Sequence, residues 1–530
     1  MGSLSFQASN AIIYVTYGIL LISGTAIGWY CRDKKTFLSS NGTQKGIPLA
    51  FNFVASGIGC GILSTYPQVA NTAGLQGLLV YALAGGLPML LFSLLGPKIR
   101  KECPHGFVLT EWVFQRFGKI AGLYLSACTI LTLFLFMVSE ISSIQYAVNT
   151  LTGLNALPVV IVECVVTSVY TAIGGFKVSF ITDNIQIAVV FILIIVISCA
   201  MGSYVDIDTK RIPESGLLKD SKLGWQLIYI LVVAIFTNDL FMSGFWLRTF
   251  ASRSDKDLWI GTSIAAFLMA AIVTVVGVTG LIAVWAGLVP VGSESSAASF
   301  FILLAELPSW VMGFVLVFTV VLSTCTLDSL QSAMASTISN DIFRNKIPVI
   351  YVRIIVVLII IPVVVVGLKV ASDVLQIYFI ADLLSAAVIP IIIMGLSSHM
   401  WFITGWEVVG GGLGGLLTVF IFGTIYYGTA KEGGKLLLVW NGIYGGDWSA
   451  FGAFVAAPVG SVIAAAIILA LRVSILKIHS ISTGKPFTAL TKPDHPPRMA
   501  EPAAKGYEDD EDLQDIQESI DVTSKNTKSV

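Results

Sequence analysis

Along this chain apolar residues fall in long runs broken by short polar stretches. Runs such as "LLVYALAGGLPMLLFSLLG" and "IIVVLIIIPVVVVGL" approach or reach the roughly 20 residues that span a bilayer as a helix. The pattern predicts about thirteen spans, near 11–31, 47–67, 73–95, 120–146, 157–173, 180–203, 225–247, 259–288, 309–338, 349–368, 373–397, 408–428 and 447–471. The fold class expected is an all-α polytopic membrane protein. Five parts follow: an extra helix and first loop (1–46), two core blocks (47–203 and 204–400), two further helices (401–475) and a polar tail (476–530).

Composition agrees. Of 530 residues, 55% are hydrophobic and 12% charged, against about 25% charged in soluble chains. Mean hydropathy is +0.85. No basic stripe with interleaved aromatics suggests nucleic acid. The seven cysteines show no paired spacing that would frame disulfides or zinc, and no histidine cluster suggests a metal site. The first residues lack a positive n-region, so no cleavable signal is expected.

An odd number of spans puts the termini on opposite sides. Arg32, Lys34, Lys35 and Lys45, then Lys98, Arg100, Lys101, Arg116 and Lys119, then a turn at Lys177, Arg248–Lys256 and Arg344–Arg353 all alternate onto one side. By the positive-inside rule that side is cytosolic. The N-terminus is then outside and the C-terminus in the cytosol, with a plasma-membrane location. The sequon Asn41-Gly42-Thr43 lies inside and stays unglycosylated. After about residue 475 the chain turns to Pro, acids and Ser/Thr. Such a tail is expected to be disordered and offers cytosolic regulators a handle.

Two spans look interrupted. The second, "IPLAFNFVASGIGCGILSTYPQVA", carries Gly57, Gly59 and Gly61 near its middle. Glycine there serves either close packing or a break whose freed carbonyls bind a cation. The seventh holds Thr237-Asn238-Asp239 and Ser243-Gly244. Matching breaks five spans apart point to an inverted-repeat transporter. Ionisable residues at membrane depth mark function by default; they are Glu140, Glu163, Asp183, Asp239, Glu306, Asp328 and Asp382. "LSTCTLDSLQSAMASTISND" (322–341) adds a polar stripe, in which Cys325 and Asp328 share a helix face.

Three motifs in order resemble the sodium:solute symporter family over most of the membrane region. They are "TAIGGFKVSFITDNIQ" (171–186), "FWLRTFASRSDKDLWIG" (245–261) and the Ser/Thr-rich helix closed by Asp341-Ile342. The resemblance implies a leucine-transporter-type core of five-plus-five inverted repeats and alternating access driven by an ion gradient, Na+ or H+, with no other cofactor. It implies a sodium site between the broken first core helix and the eighth. Main-chain ligands would come from Gly59, Ile62 and Leu322, and side-chain ligands from Cys325 and Thr326. Asp183 matches the family's aspartate on the intracellular ion path.

The chain departs from that pattern at Cys325, where a hydroxyl is usual; a thiol suits sodium poorly. Asp328, nearby, is then either a charged sodium ligand or the group through which protons replace sodium. Trp246-Leu247-Arg248 resembles the W-x-R of the urea and polyamine branch, although Met242 and Ser243 replace the residues expected before it. Tyr66 stands where sugar-carrying members have glutamine. A small polar, nitrogenous solute such as urea or a polyamine is expected, with Tyr66, Asp239, Trp246 and Asp382 around it. No nucleophile–base pair, phosphate loop or metal cluster points to an enzyme. An uncoupled permease on the same fold and a non-transporting nutrient sensor are the alternatives.

Overall fold

A computed structural model describes residues 4–30, 41–104, 106, 108–370, 373–440, 442, 447–488 and 490–492, without the side chains of 174–178, 193 and 349. It is built of helices: α1 (Phe6–Tyr30), α2 (Gly46–Gly57), α3 (Ile62–Gly86), α4 (Met89–Glu102), α5 (Leu109–Phe117), α6 (Lys119–Thr152), α7 (Ala156–Tyr204), α8 (Arg211–Glu214) and α9 (Lys222–Phe241). The second half adds α10 (Ser243–Ala251), α11 (Asp255–Trp285), α12 (Ser299–Ala305), α13 (Ser309–Thr337), α14 (Val349–Lys369), α15 (Val374–Met394), α16 (Gly405–Tyr427), α17 (Ala430–Leu437) and α18 (Ser449–Thr483). Among the described residues the only β pairing is an isolated Gln44–Ser252 bridge.

Twelve stretches are long and apolar enough to cross a membrane, against the thirteen expected. One reason is the second span. It is split into α2, only 12 residues long, and the start of α3. The other is that α3 runs through Pro67 and turns only at Gly74, whose φ of 71° favours glycine. There the chain folds against Leu217, whose carbonyl accepts the Leu75 amide at 2.8 Å. α3, followed by α4, therefore joins stretches that the sequence divides into separate spans.

α7 contains two crossing stretches, Ala156–Ile173 and Ser179–Tyr204. The turn expected at Lys177 falls where side chains lie outside the described residues. The sequence also missed short helices. α5 lies in the expected loop 96–119, with Trp112 buried, and α10 carries the W-x-R segment. At the far end α18 continues to Thr483, so residues 476–483 are helix and not tail. Gly484, at φ 67°, closes it. Residues 493–530 lie outside the described ones.

Packing puts the two interrupted segments at the centre. α11 packs on α2 and α3, α13 lies against α6 and α7, and α15 touches α6 and α9. α1 packs on α7 and α13, while α16 and α18 pair with each other. The described parts of the basic loops meet at one end of the molecule. Asn41 Nδ2 donates to Gly106 O at 3.0 Å, Gly42 N to Phe250 O at 3.0 Å, and Arg100 Nη1 to Ser252 O at 3.1 Å. Arg116 reaches the carbonyls of Met400 and Ile403 there.

Candidate functional site

The first break spans residues 58–61. Ile58 is extended, with φ −107° and ψ 98°. α3 then opens with amides that have no partner one turn back. Glu140, on α6, supplies one: its Oε2 accepts Cys60 N at 2.8 Å and its Oε1 accepts Gly61 N at 3.2 Å. Tyr378 Oη, on α15, donates to the same Oε1 at 3.4 Å. A carboxylate at a helix N-terminus meets both the free amides and the positive end of the dipole. This approach explains the glycines. A Cβ on Gly59 would collide with Glu140 Oε1, and one on Gly61 with Tyr378 Oη. The glycines thus permit close packing, and they do so at a broken helix.

The second break is at Met242, with φ −71° and ψ 108°. Thr237, Asn238 and Asp239, expected to interrupt the span, are still helical. Trp246 Nε1 donates to Leu240 O at 2.7 Å, taking a carbonyl at the end of α9. Trp246 is 1% exposed and packs edge-on against Phe92.

Between the breaks is a cavity. Gly59, Ile62, Tyr66, Asp239, Thr326 and Asp382 line it, as do Glu140, Tyr81, Asn238 and Tyr378. Tyr66 and Tyr81 stack with ring centroids 3.8 Å apart. Phe136 meets Tyr378 edge-on at 4.8 Å. Asn238 Nδ2 donates to Asp382 Oδ1, while Asp239 Oδ2 has no hydrogen-bond partner among the described residues. The lining therefore carries three carboxylates and no Lys, Arg or His. Of the four expected solute contacts, Trp246 does not reach the cavity; it is held behind it by its bond to Leu240.

The expected cation ligands divide into two groups. Thr326 Oγ1 donates to Leu322 O at 3.0 Å and to Ile58 O at 3.2 Å, so α13 does meet the first break. The main-chain oxygen it meets is that of Ile58, not Gly59, whose carbonyl accepts Ile62 N at 3.3 Å. Cys325 and Asp328 face another way. Thr182 Oγ1 donates to Asp328 Oδ2 at 3.4 Å, so Asp328 looks toward α7 and does not line the cavity.

Asp183 lies beside it as half of a buried ion pair. Arg248 Nη2 donates to Asp183 Oδ2 at 2.5 Å, with the two side chains 1% and 0% exposed. Ser329 Oγ donates to Asp183 Oδ1 at 3.3 Å. Arg248 also donates to Asn52 O at 3.0 Å and Gly244 O at 2.9 Å, tying α2, α7 and α10 together. Tyr81, Tyr378 and Ile58 are site residues that sequence reasoning missed. Glu140 stands out in the sequence as an acid at membrane depth and Asn238 as part of the polar triplet, but neither is assigned there to the site.

Comparisons with known proteins fit this geometry. No family model matches the chain. The spermidine transporter DUR31 of Candida albicans is 60% identical over 495 residues, 93% of this chain and 95% of that protein. A urea-proton symporter, DUR3, of rice is 25% identical over 173 residues, 31% of this chain and 24% of that protein. Among solved structures, a Na+-coupled sialic acid symporter in a substrate-bound outward-open state superposes with a TM-score of 0.64. It is 14% identical, covering 86% of this chain and 98% of that one. It shows the fold alone. The protein is a secondary active transporter and not an enzyme, embedded in the bilayer as an integral membrane protein. The chain belongs to the sodium:solute symporter family, on the branch that holds the urea and polyamine transporters.

Proposed function

We propose that the protein carries a polyamine such as spermidine by cation-coupled symport across the plasma membrane, with alternating access between the two breaks. One observation carries this reading. Glu140, Asp239 and Asp382 line the cavity with no basic side chain among them. A buried carboxylate without a cation is costly, and a flexible polycation supplies ammonium groups to several at once. Tyr66, Tyr81, Phe136 and Tyr378 add aromatic faces and edges suited to alkylammonium groups. The 60% identity to a spermidine transporter supports the same solute. Urea, being neutral, would leave the carboxylates unmatched.

For the coupling ion, the residues favour H+ over Na+. Thr326 and the carbonyls of Ile58 and Leu322 are hard oxygens of the kind sodium takes. Cys325 adds only a thiol, and Asp328 faces α7. That leaves few oxygen ligands at the break. Gly59, Ile62 and Asp183 keep the roles that the family resemblance implies only if sodium drives transport.

The test is competition for uptake in cells lacking their own transporters. Spermidine should saturate uptake, and urea or sugars should not compete. Asp239→Asn and Asp382→Asn should each weaken apparent affinity for spermidine by about tenfold or more, the scale of a lost hydrogen bond to a charged group. Unchanged affinity in both variants would remove the solute reading.

A further inference from the structure

Glu163 lies in the first crossing stretch of α7 and is fully buried. The Tyr17 hydroxyl of α1 and the Ser323 hydroxyl of α13 face its carboxylate. Both are buried as well, at 1% and 0% exposure. Yet among the described residues neither Glu163 oxygen, nor Tyr17 Oη, nor Ser323 Oγ has an aligned hydrogen-bond partner. Polar atoms from three helices thus converge at membrane depth.

Charge makes the place stranger. The ionisable groups around Glu163 are Tyr17, Cys164 on its own helix, Cys60 in the first break and Glu140 on α6. None is a base that would neutralise it. An ionised carboxylate there lacks the pairing and hydrogen bonds that buried charges need. Its neighbour Glu140 differs, because two backbone amides and Tyr378 donate to it. Of the two, Glu140 has the donors that suit an anion. Glu163 has two hydroxyls, and a hydroxyl can accept from a carboxylic acid as readily as it donates.

We propose that Glu163 is a proton-binding site, a carboxylic acid held between Tyr17 and Ser323, separate from the solute cavity. Binding adds one proton to the carboxylate and cancels one charge. In release the acid O–H bond breaks, its electron pair stays on Glu163, and the proton passes to water in the cavity by way of Glu140. Proton occupancy at Glu163 and the state of the first break are then linked, and linkage is reciprocal. The site also gives α1, an addition to the five-plus-five core, a part in coupling through Tyr17.

Infrared spectroscopy on the purified full chain tests this without any solute present. Wild-type protein should show the carbonyl band of a protonated carboxylic acid that Glu163→Gln removes and Tyr17→Phe shifts. In liposomes, Glu163→Gln should flatten the pH dependence of uptake while solute exchange at equilibrium persists. A band unchanged in both variants, or a wild-type pH profile in Glu163→Gln, would overturn the proposal. Should Glu163→Gln fail to fold, Tyr17→Phe decides: an unmoved band is then the contrary result. Because the band is read with no solute, a mistaken solute leaves this test intact. An intact band without spermidine binding would sink only the solute reading.

Discussion

Glu140 does from a separate helix what an N-cap residue does locally, taking the amides of Cys60 and Gly61. The cap stays in place only because Gly59 has no side chain. Gly59→Ala is therefore expected to push Glu140 off the break at an overpacking cost of about 1–3 kcal/mol. Uptake per molecule at the cell surface should fall by about fivefold or more on that scale, with expression kept. Arg248 is the other residue whose partners define its role. Arg248→Ala leaves Asp183 buried and unpaired, a loss of about 3–5 kcal/mol, visible as a drop in unfolding temperature in detergent. Arg248→Lys should restore little, because a lysine cannot reach Asp183, Asn52 and Gly244 together. The acids at membrane depth were legible in the sequence because hydrocarbon makes them conspicuous. Their partners were not: Glu140 and Cys60, or Asp183 and Arg248, are far apart in the chain and meet only through helix packing.

At the scale of elements, hydropathy found the long helices well, since a bilayer demands long apolar runs. It failed where a helix is short or interrupted. α5 and α10 are too short to register. α3 continues through Pro67, and the second break falls at Met242 and not at the polar triplet before it. Trp246 illustrates the consequence. The sequence puts it beside the solute; the structure makes it the clasp of the second break, bonded to Leu240 O. Trp246→Phe should therefore cost about 1–2 kcal/mol of stability from the unpaired carbonyl. The affinity for solute should stay near that of wild type. A large loss of affinity with stability unchanged would return Trp246 to the binding site.

The molecule as a whole brings the described parts of the basic loops to one end, where Asn41, Arg100 and Arg116 are bonded to neighbouring backbone. If that end is cytosolic, as the positive-inside rule expects, Asn41 carries no glycan in a eukaryotic host, and a C-terminal tag is reached only after permeabilisation. A glycan at Asn41 would invert the orientation. The central claim concerns transport itself and is tested most directly by spermidine accumulation in liposomes holding the purified protein, with proton and sodium gradients imposed separately. The residues around the cavity and the first break predict accumulation above the outside concentration under an inward proton gradient, with sodium dispensable. Spermidine that only equilibrates, or that accumulates under sodium alone, would contradict it.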